Sequence, residues 1–389
     1  MSFKKSAATL TAGAIKAIER PLRGHSTTKS DSILILEYLL PLGCCVHLTP
    51  VYEAIKKARP EVTLSVATRG LALTLLRHNP FIDHLIETPD PLTDVQAASK
   101  SLTQSLKQRN LDPDCTFTGS SDQRTRIALL ALMAGTGWRG GFTQTPQLYH
   151  RPLQYQPDRS LIDNNLQLAG LASCPQTHYE PRVFFSQADI ATVKAHVKAA
   201  NPEGKPLVVM VTQNSGGQRT GWQTDRFVQV IHHAHDTLGC AIVYVGTPAD
   251  TNPVEQIRQQ AGGIGTSLTG KTSVTQLAAL LAMSDAVVSL DTGTMHVGRA
   301  VGVPMVVIGP SWQKPIEWLP LGIPQTRILR GPDRPDVPPN YKLDEVQADQ
   351  VVAALDDLLR TYPPSKASRE ARLQASTSTL DHLSGPTKA

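Results

Sequence analysis

Nowhere does this sequence approach the ~18 or more consecutive apolar residues that a membrane-spanning helix requires. Its five cysteines, Cys44, Cys45, Cys115, Cys174 and Cys240, are odd in number and include no C-x-x-C pair. That speaks against a disulfide framework and a zinc knuckle, and it points to a reducing cytosol. Aromatic residues are sparse, at 5%. The formal charge of +5 comes without the dense Lys/Arg clusters of a nucleic-acid binder, so the expected anionic partner is a phosphorylated substrate or a membrane surface. No Gly-x-Ser-x-Gly occurs and no glycine-rich phosphate loop is read, which argues against a hydrolase, a P-loop NTPase and a typical NAD enzyme. His232, His233 and His235 place two imidazoles three residues apart on one helix face but lack a matching carboxylate or cysteine motif, so no metal site is expected there.

What the chain does have is alternation. From Ser32 onward, short apolar runs alternate with stretches of helical periodicity, the signature of βαβ units and parallel sheets. Runs near 33–36, 62–67, 82–86 and 115–118 read as strands of one doubly wound domain. Periodicity fades between Gly141 and Tyr179, and a second series begins at Leu207. The expected organisation is a basic, flexible leader over 1–30, an N-terminal Rossmann-like domain over 31–180 and a linker helix and turn over 181–206. A C-terminal Rossmann-like domain over 207–340 follows, then a helix over 341–362 packing back on the first domain, and a disordered tail over 363–389. The leader carries Lys4, Lys5, Lys16, Arg20, Arg23 and Lys29 against Glu19. It reads either as a floppy tail or as a helix lying on the inner leaflet, because no convincing signal-peptide core is present.

The stretch Ala286 to Pro310, AVVSLDTGTMHVGRAVGVPMVVIGP, organises the second half. Two buried strands enclose a polar loop, Asp291-Thr292-Gly293, followed by a short helix containing His296. A helix opening there points its free N–H groups at the loop, which suits a phosphate. The alternative is that Asp291 or Thr292 merely caps the helix.

Three segments give the chain a resemblance to the ADP-heptose:lipopolysaccharide heptosyltransferases, glycosyltransferase family 9, from about Ser32 to Leu359. They are ILILEYLLPLGCCVHLTPVYEAIKKARPEVTLSV, VVMVTQNSGGQRTGWQTDRF and SLDTGTMHVGRAVGVPMVVIGPS. The resemblance implies an α/β GT-B fold, two Rossmann-like doubly wound domains facing a cleft, with the donor nucleotide mainly on the second. It implies a nucleotide-sugar donor, ADP-heptose by default, an anionic glycan or glycolipid acceptor, no cofactor and no metal. The implied location is cytoplasmic, to which the alternative reading of the leader adds a peripheral contact with the inner membrane. Carried over residue by residue, Asp291, Thr292, Gly293 and His296 line the diphosphate and ribose region, and Thr212 and Gln213 face the same site. Arg219 stands nearest to the family's phosphate-contacting cation, one residue further from Trp222 than the pattern asks. Asp250 takes the place of a ribose-binding carboxylate, and Thr272 that of a residue beside the adenine.

One departure concerns the chemistry. Sugar transfer with inversion needs a base for the attacking hydroxyl, and in the family an Asp in a Gly-Asp turn is the candidate. Here that position is Cys44, and a thiolate basic enough to serve is little populated. His47, one turn into the following helix, titrates in a useful range and is the first candidate for a replacement; Glu37 lies on the preceding strand. Two readings stay open: an active transferase with rearranged base chemistry, and a nucleotide-binding or scaffolding homologue that has lost turnover. Lys56, Lys57, Arg59, Arg69 and Arg77 either steer an acidic acceptor or form ordinary solvated faces.

Overall fold

The computed structural model describes residues 30–39, 41–214, 221–338 and 341–383. It divides into two compact units, one reaching to Pro181 and including the residues from Leu380 onward, the other spanning Arg182–Thr379. Each is built on a six-stranded parallel sheet.

In the first unit the chain runs β1 (Ser32–Glu37), α1 (Leu42–Ala58), β2 (Thr63–Thr68), α2 (Gly70–Leu76), β3 (His84–Glu87), α3 (Val95–Gln108) and β4 (Cys115–Thr118), then α4 (Thr125–Met133), β5 (Trp138–Phe142), β6 (Arg151–Leu153) and α5 (Leu161–Leu171). The strand order is β3-β2-β1-β4-β5-β6. Strand β1 sits inside the sheet with helices on both faces, so it reads as an unbroken apolar run rather than an alternation. Asp94 caps α3 by accepting the Gln96 and Ala97 N–H groups, and Ala98, Leu102 and Leu106 then fall on one face, against Leu34, Leu36 and Ile86.

The second unit contains α6 (Gln187–Ala200), β7 (Leu207–Val211), α7 (Thr224–His232), β8 (Ala241–Tyr244), α8 (Thr251–Gln260), β9 (Thr266–Ser267), α9 (Val274–Met283) and β10 (Ala286–Leu290), followed by α10 (Gly293–Val301), β11 (Met305–Ile308), α11 (Pro315–Trp318), β12 (Thr326–Leu329), α12 (Ala348–Thr361) and α13 (Lys366–Ser376). Its strand order is β12-β11-β10-β7-β8-β9. Among the described residues no helix is long and apolar enough to cross a membrane.

Three expectations about organisation are corrected. The helix and turn expected over 181–206 are present as α6 and the residues after it, but they belong to the second unit: α6 opens with a Ser186/Asp189 capping box, and Asp189 accepts the Thr275 hydroxyl of α9 at 3.2 Å. The helix expected to pack back on the first domain is α12, and its stripe of Val351, Leu355 and Leu358 is buried in the second unit's own core with Val306, Ile308 and Trp222. The amphipathic pattern predicts a buried face without saying which sheet receives it. The tail expected to be disordered over 363–389 is ordered through Leu383. Helix α13 is held by polar contacts: Arg369 Nη1 binds both Asp285 oxygens at 2.7 and 2.8 Å, and Arg372 reaches the Ala282 and Ser284 carbonyls. A chain poor in apolar residues is ordered here because it neutralises a buried carboxylate. The basic leader, apart from Ser30, lies outside the described residues.

Candidate functional site

The strand order of the second sheet reverses between β7 and β10, and ligands of α/β sheets bind beyond the carboxyl ends of strands at such a reversal. Ser289 of β10 pairs with Val211 of β7. Asp291 and Thr292 therefore leave one strand beside Thr212 and Gln213 leaving its neighbour, and Gln213 Nε2 donates to Thr212 Oγ1 at 3.3 Å. Asp291, Thr292, Thr212 and His296 are all buried.

Thr292 is extended, with φ −146° and ψ 170°, and stands at the N-cap of α10 without making a side-chain cap. Its Oγ1 is buried with no hydrogen-bond partner. Gly293 is the first helical residue, so the opening N–H groups of α10 have no carbonyl one turn back to receive them. One turn further, His296 Nε2 lies 3.8 Å from Asp291 Oδ1. Burial raises the Asp291 carboxyl to about 6, and burial, assisted by the Arg299 charge, drives His296 down to about 3. At neutral pH the contact is thus a carboxylate beside a neutral imidazole rather than an ion pair. The His296 ring also faces Trp318, centroid to centroid at 6.1 Å. The loop offers main-chain and hydroxyl donors for an anion, and one carboxylate able to accept from hydroxyls.

Two more candidates lie on the same edge of the sheet. Asp250 follows β8 and closes a turn, its Oδ2 accepting from Thr247 N at 2.7 Å and Thr247 Oγ1 at 2.8 Å; part of this carboxylate is committed to a cap. Thr272 lies just before Ser273, the N-cap of α9, in a loop tied to the Asp250 turn by the Gly270 N–H bond to the Gly246 carbonyl at 2.9 Å. Arg219 lies outside the described residues.

Two phosphate-loop spacings that the sequence reading passed over do occur, and the structure places both in the wrong context. Gly265 to Thr272, GTSLTGKT, has the P-loop spacing, but β9 lies inside the motif instead of before it, and Lys271 Nζ is turned onto the Ser267 carbonyl at 3.1 Å. Gly135 to Gly140, GTGWRG, has the dinucleotide spacing but leads into β5 rather than into a helix.

The first sheet reverses between β1 and β4. There a small recess is lined by Glu37, Cys44, Ser121, Asp122 and Asn165, among others. Cys44 stands at this recess, but burial pushes its thiol up to about 11, with the Asp122 and Glu37 charges adding to the effect. His47 is only 1% exposed and is not among the residues lining the recess; its backbone carbonyl accepts from Asn165 Nδ2 at 3.2 Å. Asp122 and Asn165 escaped the sequence reading. The one available signal for Asp122 was the Gly119-Ser120-Ser121-Asp122 turn at the carboxyl end of a parallel strand.

The basic residues considered for steering an acceptor are each paired with a carboxylate: Lys56 with Asp83, Lys57 with Glu53, Arg59 with Asp31, Arg69 with Asp90 and Arg77 with Asp381, at 2.6 to 3.1 Å. His232 and His235 contact Asp236, and His233 contacts Asp356. Among the described residues no group of three or more His, Cys, Asp or Glu side chains is placed to hold a metal ion.

Comparison with known proteins bears on both sheets. A glycosyl transferase family 9 structure from Veillonella parvula superposes with a TM-score of 0.75 at 20% identity, covering 87% of this chain and 100% of that one. E. coli ADP-heptose lps heptosyltransferase II gives 0.69 at 18% identity, over 85% and 99%. An E. coli heptosyltransferase solved with ADP-2-deoxy-2-fluoro heptose gives 0.62 at 15%, over 84% and 99%. These likenesses identify the fold of the two sheets as GT-B. The family model of glycosyltransferase family 9 (heptosyltransferase) matches residues 100–334. That match spans more than half of the sequence and takes in the Asp291-Thr292-Gly293 loop, and the chain belongs to glycosyltransferase family 9.

Proposed function

We propose that this protein transfers a sugar from a nucleotide-sugar donor, ADP-heptose by default, to an anionic glycan or glycolipid acceptor of the lipopolysaccharide-core kind, with inversion at the anomeric carbon. The observation that carries the reading is the buried, unpartnered Thr292 hydroxyl at the mouth of α10. Together with the opening N–H groups of α10 it forms a donor set suited to a diphosphate. In this reading Asp291 and His296 border the ribose and phosphate region, Thr212 and Gln213 flank it from β7, Asp250 reaches a ribose hydroxyl with the oxygen its turn leaves over, and Thr272 lies by the base. Arg219 supplies positive charge to the departing diphosphate. The work is done at the cytoplasmic face of the inner membrane, with the basic leader as the contact.

Thermal stability measured with a panel of ADP-, UDP-, GDP- and CMP-sugars tests the donor site. A ligand that binds only the folded state at 100 times its Kd stabilises by about 2.7 kcal/mol. The expected outcome is a rise in Tm with one nucleotide class, strongest for ADP, that is lost in Asp291→Ala. No rise with any nucleotide would sink the donor assignment. Binding without turnover across acceptors would replace the transferase by a nucleotide-binding homologue.

A further inference from the structure

Glu37 closes β1 and Asp122 ends the turn after β4, so the sheet order brings together two carboxyl groups that are distant in sequence. They are 2% and 4% exposed, and both line the recess that Cys44 borders. Their hydrogen bonding is unequal. Asp122 Oδ2 accepts the Tyr38 backbone N–H at 3.0 Å, and the Leu39 N–H also favours its ionised form. Glu37 Oε2 accepts the Tyr52 hydroxyl, while Oε1 is buried with no hydrogen-bond partner. The neighbouring Cys45 thiol donates to the Leu39 carbonyl at 3.5 Å and also lies within reach of the Glu37 carboxyl, where it is the weakest of the influences on that group. A buried carboxyl oxygen left unmatched is costly, and native proteins seldom keep one without a use for it.

We propose that Glu37 is the catalytic base of this chain, its Oε1 taking the proton of the acceptor hydroxyl in place of a side chain at position 44. The proposal rests on the transferase reading above. In the step, the acceptor oxygen forms a bond to the anomeric carbon and the bond from that carbon to the diphosphate oxygen breaks. The electron pair of the broken bond leaves on the nucleoside diphosphate, and the hydroxyl proton passes to Glu37, whose carboxylate becomes a neutral acid. Asp122 is the lesser candidate, because main-chain donors already stabilise its charge. The ionisable groups facing Glu37 are Tyr52, Cys44 and Cys45 of α1 and Asp122 of the β4 turn, with Arg124 acting on Asp122. Burial lifts Glu37 to about 8, against the lowering bond from Tyr52. A base so raised holds a hydroxyl proton well and is still ionised in a useful fraction near neutral pH.

The test is a steady-state comparison of wild type, Glu37→Gln and Glu37→Gln/Cys44→Asp with ADP-heptose and lipopolysaccharide-core oligosaccharides, after ADP affinity and Tm have been measured for each. For Glu37→Gln the expected result is ADP affinity close to wild type and, at the pH of the assay, a Tm no lower than wild type, with kcat lower by about a hundredfold or more, the span of a lost general base. The rising limb of the wild-type kcat–pH profile between about pH 7 and 8 should vanish. A carboxylate added by Cys44→Asp should restore about tenfold or more, since that position borders the same recess. Tyr52→Phe removes the donor to Oε2 and should move the limb to higher pH, which keeps the idea testable if Glu37→Gln does not fold. A Glu37→Gln variant that keeps kcat within about threefold of wild type, or a limb that Tyr52→Phe leaves in place, overturns the role of Glu37. Wild type that binds ADP yet is inert with every acceptor overturns the transferase reading itself, and the wild-type reaction alone distinguishes that failure from the other.

Discussion

Burying Glu37 ties the stability of the first unit to pH, and Glu37→Gln isolates the effect. The carboxyl is raised from its ordinary 4.5 to about 8, chiefly by desolvation. The folded state therefore binds a proton more tightly than the unfolded chain does. The resulting stabilisation is complete below the unfolded value and is lost as pH climbs through the folded one. Over that window the loss amounts to about 4–5 kcal/mol for Glu37 by itself. Asp122, raised from 3.8 to about 7 by the same cause, adds a decline of its own in the same direction. Glutamine is neutral at every pH and its amide oxygen can still accept from Tyr52. Between pH 5 and pH 8.5 the variant should thus lose about 3–5 kcal/mol less than wild type and overtake it at the alkaline end. Urea unfolding read by hydrogen exchange of β1 peptides confines the measurement to the first unit. Parallel declines of wild type and variant across that range would refute the claim that this carboxyl is carried neutral into the fold.

Thr292→Val keeps the shape of the loop before α10 but removes the unpartnered hydroxyl; a bond to a charged phosphate is worth about 1.5–3 kcal/mol, so under the proposed donor site calorimetry should show ADP binding weakened by roughly tenfold to a hundredfold with Tm maintained. Leu355→Ala empties a fully buried site in the second unit's core and should destabilise that unit by about 2–5 kcal/mol, faster exchange appearing in β10 and β11 peptides while β1 is unaffected. Arg369→Ala leaves the buried Asp285 without the guanidinium nitrogen that bridges its two oxygens. Because the arginine is 28% exposed, about 2–3 kcal/mol is expected rather than the full cost of a broken buried pair, and protease cleavage near α13 should rise.

How much of this was legible followed from which forces leave a trace in sequence. Strands buried on both faces, such as β1, β7 and β10, stand out as apolar runs, and the polar Asp291-Thr292-Gly293 break after β10 is conspicuous against them. Strand β5 hid because its middle is Gly140-Gly141. At Gly141, with φ +118°, a Cβ would lie 2.3 Å from the Thr118 carbonyl oxygen, so close strand packing excludes the side chains that would have announced a strand. Helix α5 was obscured by asparagines that look like loop residues. Asn164 bonds Gln156 through both ends of its amide at 2.8 Å, and Asn165 accepts the Ser120 N–H at 2.9 Å. The recess was illegible for a different reason: Tyr38 and Asp122 are 84 residues apart, and only the order of strands in the sheet makes them neighbours. Helix α13 carries its anchoring in arginines, whose partner Asp285 no local pattern reveals.

The residues around Asp381 give the order of synthesis a part in folding. Arg77, just past α2, forks onto both oxygens of Asp381 at 2.7 and 2.6 Å across 304 residues of sequence. His78 meets the Leu380 carbonyl, and His382 donates its backbone N–H to the Arg77 carbonyl. A ribosome delivers α2 long before it delivers these partners. The first unit, though first to emerge, keeps one corner unfinished until nearly all of the described chain has been made, whereas the second unit is a single continuous stretch of chain.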